Sequence, residues 1–167
     1  RPSGGGVSVG TQIVTACSAL VAALQADATL TAAGVNVSYD APVLPEDLKS
    51  ADGDYEAIWL GDADEDESIP ILTAGNLHRD EVIEQTVIVQ VLKPGTAGTQ
   101  LAADTRAVEL LTRMQSVLAN NVDLGVSGRF EAVLVSWTLK RGFLGNGQGH
   151  GSRFECVVEF TARLTPS

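Results

Sequence analysis

Between Arg153 and Leu164 the chain alternates almost without fault: Phe154, Cys156, Val158, Phe160, Ala162 and Leu164 point one way, and Arg153, Glu155, Glu159, Thr161 and Arg163 the other. A period of two over that length fits a strand with one wet and one dry face, and it excludes an amphipathic helix. Just upstream, Phe130 to Lys140 is rich in β-branched and aromatic residues, as strands are. Two adjacent strands of 11 and 12 residues, each roughly 35–40 Å if extended, predict a long C-terminal antiparallel hairpin. Any fold for this chain must therefore be built around a sheet.

The other elements follow from local pattern. Ile13, Cys17, Leu20, Val21 and Leu24 recur at helical spacing and predict a first helix from about Thr11 to Asp27. Gly34 ends the connection, and Val35, Val37 and Tyr39 alternate with Asn36 and Ser38 as a strand. Prolines 42 and 45 break pairing, and 46–54 reads as loop. Tyr55 to Leu60 is a strand expected to stop at Gly61 and the acidic run. Asp80 to Leu92 is a longer strand with Ile83, Val87, Val89 and Val91 on one face, ended by Lys93-Pro94-Gly95. A second helix, about Thr99 to Asn120, buries Ala103, Ala107, Leu110, Leu111, Met114, Val117 and Leu118 and leaves Arg106, Glu109 and Arg113 outside, the last two spaced i,i+4. The expectation is one α+β domain over residues 11–167 after a flexible arm, 1–10. Its mixed, mainly antiparallel sheet is packed by two amphipathic helices in the order α-β-β-β-α-β-β.

Charge narrows the function. The net charge is −10, and residues 1–100 hold fifteen acids and four bases whereas residues 101–167 hold six and seven. An acidic chain is unsuited to sequence-specific nucleic-acid binding, which needs bases against phosphates. A subunit so lopsided suits head-to-tail stacking. No apolar run approaches the roughly 20 residues of a membrane span. No signal-peptide pattern shows either, so the chain is expected to mature in a reducing cytoplasm. Its two cysteines, Cys17 and Cys156, fall on apolar faces and are expected to be buried free thiols.

Sites of chemistry fail one by one. Asp62, Asp64 and Asp66 match positions 1, 3 and 5 of a calcium loop, but Glu67 and Thr73 stand where that loop needs Gly and Glu. A solvated acidic loop is the preferred reading. The glycines at 145, 147, 149 and 151 lack the Lys-Ser/Thr pair and following helix of a phosphate loop. They form either a flexible hairpin tip, the preferred reading, or a continuation of the strand whose bare face lets another backbone approach. On the first reading, valine at Gly147 or Gly149 should harm assembly more than folding. His78 and His150 lie apart without companion ligands, and no nucleophile elbow occurs. No catalytic residue, cofactor or metal is expected. Trp59 and Trp137 are expected to pack in the core or at a subunit interface.

The alanine-rich opening helix from Ile13 to Leu20, the strand from Val82 to Leu92, the helix from Ala102 to Leu111 and the closing hairpin together resemble the tail terminator proteins of long-tailed, non-contractile bacteriophages. The resemblance covers most of the chain from Thr11 onward and lies in size and element order. It implies a virion protein, assembled in the host cytoplasm. Such a protein forms a hexameric ring that caps the tail-tube protein, ends elongation and joins head-completion or connector proteins, with genome DNA passing through the lumen. On that reading Phe143, Leu144, Asn146, Gln148 and His150 are the expected subunit or partner interface. Asp62, Asp64, Glu65, Asp66 and Glu67 form the acidic lumen or surface loop. The alternatives are a head-closure, adaptor or tail-tube subunit, or, in another class, a small enzyme or ligand-binding domain using the loops near His78 and His150.

Overall fold

A computed structural model describes residues 11–42, 54–73, 76–95, 99–125, 130–143 and 149–164, with the side chains of 65–80, 130, 143, 163 and 164 outside the description. The elements run α1 (Ile13–Gln25), α2 (Ala28–Ala32), β1 (Asn36–Ser38), β2 (Tyr55–Thr73), β3 (Asn76–Pro94), α3 (Gln100–Asn120), β4 (Phe130–Phe143) and β5 (Gly149–Leu164). The protein is α+β, as its pattern predicts, with the small helix α2 added to the expected order. One five-stranded sheet has the order β1-β2-β3-β5-β4. Only the β1–β2 pair is parallel.

The three helices form a single layer on one face. Cys17, Leu20 and Leu24 of α1, Leu30 of α2 and Leu110, Met114 and Leu118 of α3 join Ile83, Val87, Val89, Phe154, Cys156, Val158 and Phe160 in one buried cluster. Each large side chain among these contributes roughly 1.5–3 kcal/mol through burial. The alternations of β3 and β5 are thus the core itself. On the opposite face Ala57, Trp59 and Ile88 make a smaller buried cluster with Tyr55 against it, and the Arg153 guanidinium lies 5.7 Å from the Trp59 ring centre.

Polar ties fasten the helices. Asp27 does double duty: its Oδ2 accepts from Leu30 N at 3.0 Å, capping α2, while Arg113 binds the same carboxylate through Nε at 2.9 Å and Nη2 at 2.5 Å. Arg106 grips Glu56 of β2 with two nitrogens and also reaches Glu109. The expected Glu109–Arg113 pair therefore does not form, because each arginine finds a better partner. A local i,i+4 pair is worth only about 0.2–0.5 kcal/mol, less than a bidentate grip on a half-buried carboxylate. At the start of α1, Glu81 of β3, itself 1% exposed, accepts from Thr11 Oγ1 and from Gln12 N. A strand carboxylate so placed also suits the positive end of the helix dipole.

Two expectations are corrected. The acidic run is not a loop: β2 continues through it, pairing Asp64 with Glu84, Glu65 with Ile83, Asp66 with Val82 and Glu67 with Glu81. At 19 residues each, β2 and β3 make an arm roughly 60 Å long. Residue propensity is overruled here by the ladder that β3 offers, and Pro70 falls in the irregularity between Ser68 and Ile71, where a missing N–H costs little. The second correction concerns the glycines. Gly149 and Gly151 belong to β5, where Gly151 sits between Leu92 of β3 and Gly142 of β4. A Cβ at Gly149, whose φ is +142°, would lie 2.8 Å from Pro94 Cα and closer still to the Lys93 carbonyl oxygen. The bare-face reading holds for this stretch, and valine at Gly149 should damage the fold. Gly145 and Gly147 lie outside the described residues, as do residues 46–53 of the expected loop.

Candidate assembly surface

A sheet of this order has two outer strands, and among the described residues both leave backbone unpaired. β1 covers β2 only from Ala57 to Trp59. Past that point no strand among the described residues pairs with the outer side of β2, from Gly61 to Thr73. On the other side lies β4, 14 residues long. Among the described residues its outer side is met by one turn, where Ala132 N donates to Val122 O at 2.8 Å. Long open edges are templates for another strand.

The two edges differ in character. β4 carries an exposed apolar stretch, with Val133 at 52%, Val135 at 47% and Trp137 at 50% exposure. It bulges between Leu134 and Ser136, which throws Val135 out of register. Between Ala132 and Phe143 its only charges are Lys140 and Arg141, bound to Glu155 and Asp104 at 2.8 and 2.7 Å but more than half exposed. The β2 side carries Asp40, Asp62 and Asp64, all exposed.

Where β1 stops, the sheet edge steps back by one strand, and the step holds a cavity of about 290 Å³ lined by Ile13, Cys17, Tyr39, Asp40, Ala41, Leu60, Gly61, Ala63 and Gln85. Its floor is a closed polar network. The Gln85 amide is 2% exposed. Its nitrogen donates to Gly61 O at 2.9 Å, Asp62 O at 3.3 Å and Thr86 O at 2.7 Å, and its oxygen accepts from Cys17 Sγ at 3.0 Å. The β2 bulge between Leu60 and Ala63 is therefore held by one side chain reaching across from β3. Burial pushes the Cys17 thiol up to about 11, against a smaller lowering by its hydrogen bond with Tyr39, so the thiol keeps the proton it donates. No sequence signal marked Gln85, because its role depends on a bulge in a strand read as ended.

The helix-free face has its own pattern. Asp64, Glu84 and Glu159 stand directly opposite one another on β2, β3 and β5. Like charges in cross-strand register repel, so this end of the face is strongly negative. Toward the other end Lys140 and Arg153 are register partners.

The expected site residues are scattered across this frame. Asp62 sits in the β2 bulge and Asp64 in the carboxylate row. Glu65, Asp66 and Glu67 lie on β2, with side chains outside the description. Phe143 ends β4 opposite His150, which pairs in turn with Lys93; Leu144, Asn146 and Gln148 lie outside the described residues. The two tryptophans part company: Trp59 is buried, whereas Trp137 stands half exposed on an edge. Among the described residues, no three acid, thiol or imidazole groups converge as a metal site, and no helix is long and apolar enough to cross a membrane. No protein-family model matches the chain, and no curated protein sequence matches it.

Proposed function

We propose that this chain is a structural virion subunit that joins copies of itself edge to edge into a ring, the terminator of a bacteriophage tail tube. The observation that carries the reading is the pair of long open edges on one sheet, one apolar with basic residues and one acidic. Copies related by rotation bring unlike edges together, and a rotation that closes yields a ring. Sheet order supports this: β4 runs antiparallel to β2, so a neighbour's β4 would meet the β1–β2 side in antiparallel sense. The helix layer would face outward and the bare face inward, placing the carboxylate row of Asp64, Glu84 and Glu159 toward the lumen. Such a wall repels DNA phosphates and lets the genome slide. The hexameric stoichiometry, the tail-tube and connector partners and the non-enzymatic role come with the resemblance in element order.

The test is to add the purified chain to isolated tail tubes and image the mixture by electron microscopy. The reading expects one ring at the end of each tube and no further growth. Long tubes of this chain alone would make it a tube subunit, and a chain that stays monomeric beside tubes would refute the ring.

A further inference from the structure

We infer that Trp137 of one copy is the knob that fills the edge cavity beside Tyr39 and Leu60 of the next copy. The inference rests on the ring reading and specifies the contact that locks it.

Register places the two features at one height. Leu60 pairs with Val87, Val87 with Cys156, and Cys156 with Trp137. One lateral row thus crosses the sheet from the cavity to the indole, with every side chain on the helix-covered face. Tyr39 follows β1, whose Ser38 pairs with Trp59, so it stands at the same height. In a ring whose strands run close to its axis, rotation carries each copy to the next without sliding along the strands. The β4 edge then abuts β1 at Thr138 to Lys140, and Trp137 arrives just past the end of β1, over the step.

Shape and chemistry agree with that occupant. The lining side chains that close around the step, Ile13, Tyr39, Ala41, Leu60 and Ala63, are apolar or aromatic, and about 290 Å³ is room for one indole. Charge acts only between the edges as a whole: in this register Lys140 arrives beside Asn36 at the start of β1, whereas Asp64 lies level with Val133. A half-exposed tryptophan on an open edge is also the residue type that dominates binding once desolvated.

The chain has two tryptophans, so Trp59→Phe leaves Trp137 as the sole reporter. As this full-length variant is concentrated into rings, its emission should move to shorter wavelength and its quenching by acrylamide should fall. Trp137→Ala and the cavity-filling Ala41→Trp should keep the wild-type circular dichroism and melting temperature. Each should raise the concentration for half-assembly by roughly thirty-fold, the share of a single hot-spot residue. A Trp137→Cys, Ala41→Cys chain should cross-link between copies on mild oxidation, since Cys17 and Cys156 are buried. Rings that form with Trp137 still exposed, or that form equally well in Trp137→Ala, overturn the knob while leaving the ring standing. A wild-type chain that stays monomeric to its solubility limit and beside tail tubes overturns both.

Discussion

Replacing Gln85 by leucine keeps the bulk of a side chain that is 2% exposed and removes all four of its hydrogen bonds. The four are not equal. Gly61 and Asp62 are exposed, so water can take over their carbonyl oxygens at little cost. Thr86 O has no such relief, because Thr86 is only partly accessible, and the Cys17 thiol, 1% exposed, is left with its hydrogen bond to Tyr39 alone. A buried polar group left without a partner costs about 1–3 kcal/mol, and a thiol belongs at the low end because it is a weak donor. The expected loss is therefore about 2–3 kcal/mol, a large share of the 5–15 kcal/mol typical of a domain. Urea unfolding followed by tryptophan fluorescence would read it as a lower midpoint at unchanged slope. Cys17→Ala in the same background should then cost less than it does in the wild type, because its partner is already gone. A Gln85→Leu loss below about 0.5 kcal/mol, in the range of ordinary surface changes, or strictly additive losses, would show that the amide does not hold the bulge.

Three further outcomes follow from the same geometry. Gly149→Val should lower the unfolding free energy of the isolated subunit by more than about 2 kcal/mol, the level set by a named strain mechanism, whereas Gly142→Val, with open space around it, should change it little. Acid should unfold the chain through Asp27 and Asp104. For Asp27 the Arg113 hydrogen bond is the largest influence and lowers the carboxyl. For Asp104 burial pulls upward, but hydrogen bonds from Ser152, Arg141 and Gln100 outweigh it and the net shift is down. Depressed carboxyls contribute stability above their unfolded value near 3.8 and lose it as pH falls through the folded values. Melting temperatures should thus stay level from neutrality toward pH ~5 and fall below ~4, with Asp27→Asn less stable at neutral pH and flatter in acid. Burial pushes Cys156 up to about 12 and Cys17 up to about 11, so a chromogenic disulfide at pH ~8 should titrate almost no thiol in the native protein and both once urea is added.

Periodic segments were legible because one face of each is dry. Phe154 to Ala162 on β5 and Ala103 to Leu118 on α3 are buried where their spacing places them. Legibility failed where structure depends on what a neighbour supplies. Nothing local says that an acidic run will be a strand; β3 decides that by pairing with it. Nothing local says that Arg113 will leave Glu109 for Asp27, because those partners meet only after α2 packs on α3. The edge cavity is a deeper case, since it exists only as the difference between where β1 ends and where β2 goes on. Trp137 is readable as an interface or core residue, and only the sheet order, with β4 outermost, takes it out of the core.

The three-residue strand β1 then matters for a reason beyond its few hydrogen bonds. Its last residue fixes the height of the step along the sheet edge. In an assembly closed through that step, β1 acts as a ruler: two added residues would raise the step by about 6.6 Å without disturbing the core. The stagger between neighbours would shift by the same amount, and a flat ring would become a shallow spiral. Whether such a chain stops or keeps growing would be written in the length of its shortest strand.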